Sequence, residues 1–318
     1  MGILFAVLMI ITFGFAYNSV QSNTICLAWQ KAFGIEPATM GIALTVLTLI
    51  IIFGGIQRVA KFSSTVVPVM AVVYLLIAVG VVVWNITSLP KVLLTIVENA
   101  FGFNQAAGGV LGVTVIQGIK RGLFSNEAGE GSAPNAAAVA TVSHPVKQGL
   151  IQALGVFTDT LVVCSCTAFI ILVSGVDITA SNGIQLTQDA LTHEIGSIGN
   201  PFVAVMIWLF AFSSIIGNYY YGETNVRYIK DSKLGVFLYR LAVAAMVMVG
   251  AVVSLDFAWS FADITMALLT LCNLVAIVLL SRQAVFLLQD YRQQKKEGKN
   301  PVFTKSKMPE IADKLEAW

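Results

Sequence analysis

Charged residues are scarce in this sequence. Only 11% of the 318 residues are Asp, Glu, Lys or Arg, whereas 57% are hydrophobic. An ordinary soluble domain has about 25% charged residues. The composition therefore excludes a conventional soluble domain and predicts an all-α, polytopic membrane protein whose surroundings are the lipid bilayer.

Motifs of catalysis and of nucleic-acid binding are also missing. The sequence contains no nucleophile–base arrangement, no phosphate-binding glycine loop and no cluster with metal-ligand spacing. Its two histidines, His144 and His193, fall in predicted loops and need no role there. We therefore expect a protein that is not an enzyme, has no organic cofactor and has no nucleic-acid partner.

Cysteine is rare, and all four cysteines fall in apolar runs: Cys26, Cys164, Cys166 and Cys272. The pair at 164 and 166 is too closely spaced for the usual zinc or redox motifs. We expect the four to be buried packing thiols. The first residues lack a basic segment and a small-residue cleavage pattern, so no signal peptide is expected.

Apolar runs of about 20 residues, the length that crosses a bilayer, predict about eight spans. We expect a membrane domain over 1–288 and a solvated cytoplasmic tail over 289–318. The predicted spans lie near 3–22, 38–57, 64–84, within about 105–142 for one broken span, and at 148–174, 200–224, 235–254 and 258–281.

The basic residues concentrate in alternate connections between the predicted spans. The loop 175–199 contains no Lys or Arg, whereas the loop 225–234 contains three. By the positive-inside rule, 225–234 faces the cytoplasm and 175–199 faces outside. This pattern predicts a multi-pass protein of the cell (inner) membrane with both termini in the cytoplasm.

One span is broken by polar residues. The segment 118–140 contains two basic residues, two carboxylates, two amides, four glycines and a proline. In hydrocarbon an unpaired backbone group costs several kcal/mol, so such a segment is tolerated only where it lines a cavity or is buried in protein. The break predicts a transporter's binding site. The alternative is a kink whose polar atoms satisfy one another.

The residues after the break predict its depth. If 132–142 form a half-helix, they cover about 16 Å at about 1.5 Å per residue, which places Ser125, Asn126 and Glu127 near the bilayer midplane. Ser132 is an N-cap candidate, with Pro134 in the first turn. Free N–H groups there suit a carboxylate, and unwound carbonyls suit a small cation. An amino acid and sodium are the natural ligands.

Other intramembrane polar residues are candidates for pairs, gates or ion ligands. Arg121 and Glu127 could form a charge pair with each other. Ser213 and Ser214 lie halfway along the sixth span, although serine in such helices most often bonds to its own helix or a neighbouring one. Further candidates are Asn218, one turn after the serines; Gln21, near the outer end of the first span; Asp159, as a structural pair; and Asp263, as an outer-gate residue.

The sequence resembles the alanine or glycine:cation symporter family. The resemblance rests on Arg121-Gly-Leu-Phe-Ser-Asn-Glu-Ala-Gly129 and on the segments 131–138, 144–149, 155–162, 210–217, 220–223, 262–264 and 273–274. It implies import of a small amino acid, such as alanine or glycine, coupled to sodium or in some members to protons. It also implies a leucine-transporter-like fold of two inverted five-helix repeats, with the broken span as the first helix of the second repeat.

The resemblance also implies residue roles. Phe124, Ser125 and Asn126 would line the substrate pocket with Gln21 and Asn218 as neighbours, and the hydroxyls of Ser213 and Ser214 would bind sodium. Many relatives have an apolar residue where this chain has Glu130 and tryptophan where it has Asn218. The chain begins where family members are at their fourth span, so we expect the fold to be incomplete at its N-terminus.

Two other functions stay open at the sequence level. A channel for small solutes is the alternative from another class, because a broken helix with polar amides can also line a pore. The second alternative is a non-transporting fragment of a symporter.

Overall fold

The computed structural model describes residues 1–54, 56–101 and 108–315. It is 83% helical, and no strand occurs in those ranges, which confirms the prediction of an all-α protein. The inverted-repeat arrangement stays a prediction. Positions 55, 105–107 and 316–318, which belong to the predicted second span, broken span and tail, lie outside the described residues.

Eleven helices account for most of this part of the chain. The first and seventh contain wide π-helical turns, at Ile10–Tyr17 and Thr158–Cys164. The helices are α1 Gly2–Phe33, α2 Pro37–Phe53, α3 Ile56–Trp84, α4 Leu89–Ala100, α5 Gly108–Asn126, α6 Ala133–Ala137, α7 Pro145–Ser174, α8 Ile184–Ile195, α9 Gly199–Ile229, α10 Lys233–Val252 and α11 Leu255–Lys296.

Each of the eight predicted spans overlaps a helix, and α4 and α8 are additional helices. Within the described ranges, five helices are long and apolar enough to cross a membrane: α1, α7, α8 with α9, α10 and α11. A sixth results if 68–84 and α4, which meet at a bend of 102°, count as one span. The chain is therefore a multi-pass membrane protein, and the number eight stays a prediction.

Helix α1 occupies the centre of the bundle, where it packs against α9, α10 and α11. Its small polar residues face α10, and Ser22 Oγ donates to Val247 O at 2.6 Å. Gly250 permits this close approach, since a Cβ there would lie 2.5 Å from the carbonyl oxygen of Ser19. Small residues and interhelical hydrogen bonds of this kind hold membrane helices together.

The chain after the break differs from the prediction. Helix α6 contains only five residues, and the backbone leaves the helix before the turn at Pro145. The predicted half-helix over 132–142 is therefore wrong, and so is the depth estimate based on it. Ser132 precedes α6 without capping it, because its hydroxyl donates to Glu127 instead.

The C-terminal segment 298–308, which we call the strap, folds back onto the loop before α7. The Phe303 amide donates to Ser143 O at 2.9 Å, and Ser143 Oγ donates to Pro301 O at 2.9 Å. Lys147 Nζ donates to Asn300 Oδ1 at 2.7 Å. The predicted tail is thus not simply solvated, since its strap closes over the loop.

His144 connects the strap to α11. The ring is completely buried, packs against Tyr291 and Phe303, and lies 3.1 Å from Asp290 Oδ2. Partial burial of Asp290 opposes ionisation, yet Lys307 at 2.8 Å and the contact with His144 hold the pKa of this carboxyl below its usual range. The expectation that His144 needs no role is wrong, because it organises this junction.

Candidate functional site

The broken span is interrupted at residues 127–132, which we call the break. Three of its residues have a positive φ: Glu127 (54°), Gly129 (93°) and Gly131 (84°). Gly131 is also closely packed, since a Cβ there would lie 2.7 Å from Asn273 and 2.8 Å from Phe5. The break is therefore a specific non-helical conformation built between α1 and α11.

Three neighbouring helices hold the break and the first turn of α6 by hydrogen bonds. The donors belong to α1, α11 and α9 respectively. The bonds run from Tyr17 Oη to Glu130 Oε1 (2.7 Å), from Asn273 Nδ2 to Gly129 O (2.8 Å) and from Asn225 Nδ2 to Asn135 Oδ1 (3.0 Å). Buried polar groups at membrane depth need such partners, so the surrounding helices fix the position of the break.

The charges of the broken span do not pair as the local sequence suggested. Arg121 forms an ion pair with Asp263 on α11, where Lys120 Nζ also lies 3.3 Å from the carboxylate. Glu127 accepts a hydrogen bond from Ser132 Oγ at 2.5 Å. The predicted Arg121–Glu127 alternative is thus wrong, because Asp263 is brought close by tertiary packing.

Aromatic rings fill the space between this ion pair and the break. The guanidinium of Arg121 lies 4.1 Å from the ring centroid of Trp259. Trp259 packs against Phe124, which packs against Tyr17, both with 4.6 Å between centroids. We call Trp259, Phe124 and Tyr17 the aromatic layer. It closes the site on the side of the Arg121–Asp263 pair.

Ser125 and Asn126 face the π-helical turn of α7. Ser125 Oγ donates to Asp159 Oδ2 at 2.6 Å, and Asn126 Nδ2 donates to Thr160 Oγ1 at 2.8 Å. Asp159 therefore partners the broken span. Cys164, whose Sγ lies 3.2 Å from Ser125 Oγ, is exposed, and Cys166 and Cys272 are only partly buried, so the expectation of four buried thiols holds for Cys26 alone.

The predicted sodium ligands lie on α9 and bond within their helix. Ser213 Oγ and Ser214 Oγ both donate to Phe210 O, at 2.7 and 3.1 Å. Asn218 is buried and donates to Asn18 Oδ1 on α1 at 3.2 Å, while Gln21 is partly buried on the same helix. In the described ranges, no hydrogen bond joins these serines to the break.

A cavity of about 720 Å³ adjoins the break on the side away from the aromatic layer. It is bounded by the break, α7, α9 and α11, and Asn126 and Glu127 lie at one end. Along α11 it extends from Asn273 to Val285, towards the end of the helix that carries the strap. The break thus has the cavity on one side and the aromatic layer on the other.

A family model described as the sodium:alanine symporter family matches residues 1–305. The chain belongs to this family. It is 54% identical to a probable sodium/glutamine symporter of Bacillus subtilis, over 96% of this chain and 64% of that protein. It is 51% identical to an amino-acid carrier protein of the same organism, over 100% and 68%, and 35% identical to a sodium/alanine symporter of Methanococcus maripaludis, over 89% and 63%.

Membership of the sodium:alanine symporter family confirms the resemblance read from the sequence, and it assigns the chain to a family of transporters rather than enzymes. The chain spans about two thirds of the length of these relatives. Their names differ in the amino acid, since one names glutamine and another alanine.

Sequence reasoning missed several partners of the break in this symporter-family chain. Tyr17 bonds to the break itself, Thr160 to Asn126 just before it and Asn225 to Asn135 just after it. Each is one polar residue in an apolar or mixed run, which is no signal by itself. The one local signal is that Thr160 follows Asp159, a residue already noted as polar on that helix.

Proposed function

We propose that the chain forms the core of a secondary transporter that couples a sodium gradient to the uptake of a small neutral amino acid, alanine or glycine. The observation that carries this proposal is the break, a polar non-helical segment inside an apolar bundle that adjoins a cavity of about 720 Å³. Such breaks place the substrate and the coupling ion in transporters. The names of the relatives support sodium as the coupling ion.

In the proposed mechanism, Phe124, Ser125 and Asn126 line the substrate pocket, with Gln21 and Asn218 as neighbours. The aromatic layer and the Arg121–Asp263 pair close the outer side, and the cavity is the route to the cytoplasm. Transport then requires the two sides to open alternately. A pore, by contrast, would be open on both sides at once.

Counterflow tests this proposal on proteoliposomes that contain the purified 318-residue chain. Preloaded unlabelled alanine is expected to accelerate the entry of labelled alanine. In an alternating-access carrier, the unlabelled alanine inside binds the inward-facing form and lets it return to the outward-facing form, where labelled alanine can bind. Entry of labelled alanine without acceleration would identify a channel. No entry of labelled alanine would show that the chain is a non-transporting fragment. Parallel assays with glycine and glutamine, with sodium or choline outside, identify the substrate and the ion.

Ser213→Ala and Ser214→Ala are each expected to raise the sodium concentration for half-maximal uptake about five- to thirty-fold, the equivalent of about 1–2 kcal/mol. The bond from each hydroxyl to Phe210 O uses its hydrogen and leaves lone pairs that can face a cation. Sodium titrations of labelled alanine uptake measure the change. Substrate affinity should fall at low sodium and recover at saturating sodium, because coupling between bound ligands is reciprocal.

The matched control is Ser174→Ala on α7, because this serine also bonds within its own helix, to Ile171 O at 2.8 Å. A hydroxyl of this kind contributes only about 0.6 kcal/mol to packing. If the two α9 variants keep the sodium dependence of the parent at equal expression, as the control should, the serines are packing residues and the proposed sodium site is wrong.

For the orientation, we propose that 225–234 faces the cytoplasm and 175–199 faces outside, in the cell membrane. Lys230→Cys and Asn182→Cys, both at exposed positions, test this in a background without the native cysteines. A membrane-impermeant maleimide applied to intact cells is expected to label position 182 only. Labelling of position 230 without labelling of 182 would reverse the topology.

A further inference from the structure

Glu130 lies in the break and is completely buried, with no exposed fraction. Its Oε1 accepts the hydrogen bond from Tyr17 Oη at 2.7 Å, and its backbone amide donates to Glu127 O at 3.2 Å. Its Oε2 is buried without a hydrogen-bond partner. Glu127 lines the cavity, whereas Glu130 does not. The two carboxyl groups of the break therefore differ, one open to the cavity and one sealed.

The groups around Glu130 supply no positive charge. From α1, Tyr17 is a neutral donor, and within the break Glu127 carries the same charge type as Glu130. From α11, Thr270 and Asn273 pack against the adjacent glycines and are neutral. On α9, Tyr221 is neutral. Among the described residues, the nearby cations of α5, Lys120 and Arg121, pair with Asp263, so no ion pair includes Glu130.

An ionised Glu130 would thus be a buried and uncompensated charge. A buried charge without a partner is strongly unfavourable, so a group in this position becomes neutral rather than remaining charged. Sodium could also neutralise it, but a hard cation needs several oxygen ligands in place of its water. Glu130 offers one unpartnered oxygen, which suits a proton and not a coordination shell.

We propose that Glu130 is a proton-binding site, occupied by one proton taken from the solvent, in the packed conformation of the break. The proton resides on Oε2, and Oε1 keeps the hydrogen bond from Tyr17. The site is then neutral, as its burial without a cationic partner requires. This inference does not depend on the transported substrate or on the proposed sodium site.

Infrared spectroscopy of the purified 318-residue chain in lipid nanodiscs at pH 7 tests the proposal directly. We expect a carbonyl stretch of a protonated carboxylic acid that is absent from Glu130→Gln and retained in Glu127→Gln, the matched control on the cavity side. The band should persist when saturating sodium chloride replaces choline chloride. An absent acid band, a band lost with Glu127→Gln only, or a band removed by sodium would each overturn the proposal.

The pH dependence of stability gives a second readout. Above about pH 4.3 the unfolded chain has lost this proton. As long as the folded chain keeps it, the folding equilibrium is expected to weaken by up to tenfold per pH unit as the pH rises. Glu130→Gln, a neutral side chain of the same shape, should fold and should lack this component. A Glu130→Gln variant that does not fold, or that keeps the full pH dependence of the parent, would contradict a protonated Glu130.

Discussion

Gly131→Ala is expected to destabilise the chain by about 2–5 kcal/mol. The φ of +84° costs an alanine about 1–2 kcal/mol. Its Cβ would also lie 2.7 Å from Asn273 and 2.8 Å from Phe5, and overpacking of this kind costs about 1–3 kcal/mol more. Because Asn273 also holds Gly129 O, the shift should displace the break and weaken substrate binding. Denaturant unfolding in detergent and equilibrium binding of labelled alanine measure the two effects.

Two other glycines separate these contributions. Gly129→Ala has a comparable φ of +93°, but among the described residues its Cβ would meet only Thr270, at 4.0 Å, so we expect a loss of about 1–2 kcal/mol. In Gly122→Ala in α5, the added Cβ meets no described atom within 4 Å, and the change should stabilise the helix by about 0.5–1 kcal/mol. Equal effects of all three substitutions would show that the close packing of Gly131 is not what fixes the break.

Asp263→Asn is expected to open the side of the site that the aromatic layer closes. The substitution leaves Arg121 and Lys120 without their carboxylate. With side-chain exposures of 19% for Asp263 and 39% for Arg121, the pair lies between the surface and buried extremes, so we expect a loss of about 1–3 kcal/mol. A loss of about 1.4 kcal/mol changes a two-state equilibrium tenfold.

Maleimide labelling of Ala262→Cys measures this opening, since Ala262 is completely buried next to Asp263. We expect the labelling rate to rise about tenfold when Asp263→Asn is added. Asp256→Asn, the same change at an exposed position of α11, is the matched control and should leave the rate unchanged. Equal labelling rates of Ala262→Cys with and without Asp263→Asn would show that the Arg121–Asp263 ion pair does not keep this side of the site closed.

The helical class and the place of the break could be predicted because both depend on local composition. Apolar runs determine where helices form in a bilayer, and glycines with charges determine where one of them stops. The partner of Arg121 could not be predicted in this way. Asp263 lies 142 positions later, whereas Glu127 is the carboxylate nearest to Arg121 in the sequence. Tertiary packing decides between such partners.

The early end of α6 has the same origin. The sequence from Ser132 to Val142 is rich in alanine, a good helix former, and gives no local reason to stop. In the structure, the following residue, Ser143, bonds to Pro301, 158 positions away in the strap. The two π-helical turns were likewise missed, because a wide turn has no sequence signature comparable to a glycine or a proline.

The strap makes the C-terminus a point from which the break can be observed. Helix α11 holds the break through Asn273 and the loop before α7 through the contact of Asp290 with His144. Lys147 bonds to Asn300 in the strap. The segment between Gly129 and Lys147 is therefore held at both ends, by α11 and by the strap. A displacement of that segment changes its separation from the strap. A fluorophore on the strap, paired with a contact quencher on the loop before α7, therefore reports the separation of the strap from that loop. For the same reason, a purification tag fused to the C-terminus needs a flexible spacer, so that it does not disturb the contacts of the strap with the loop before α7.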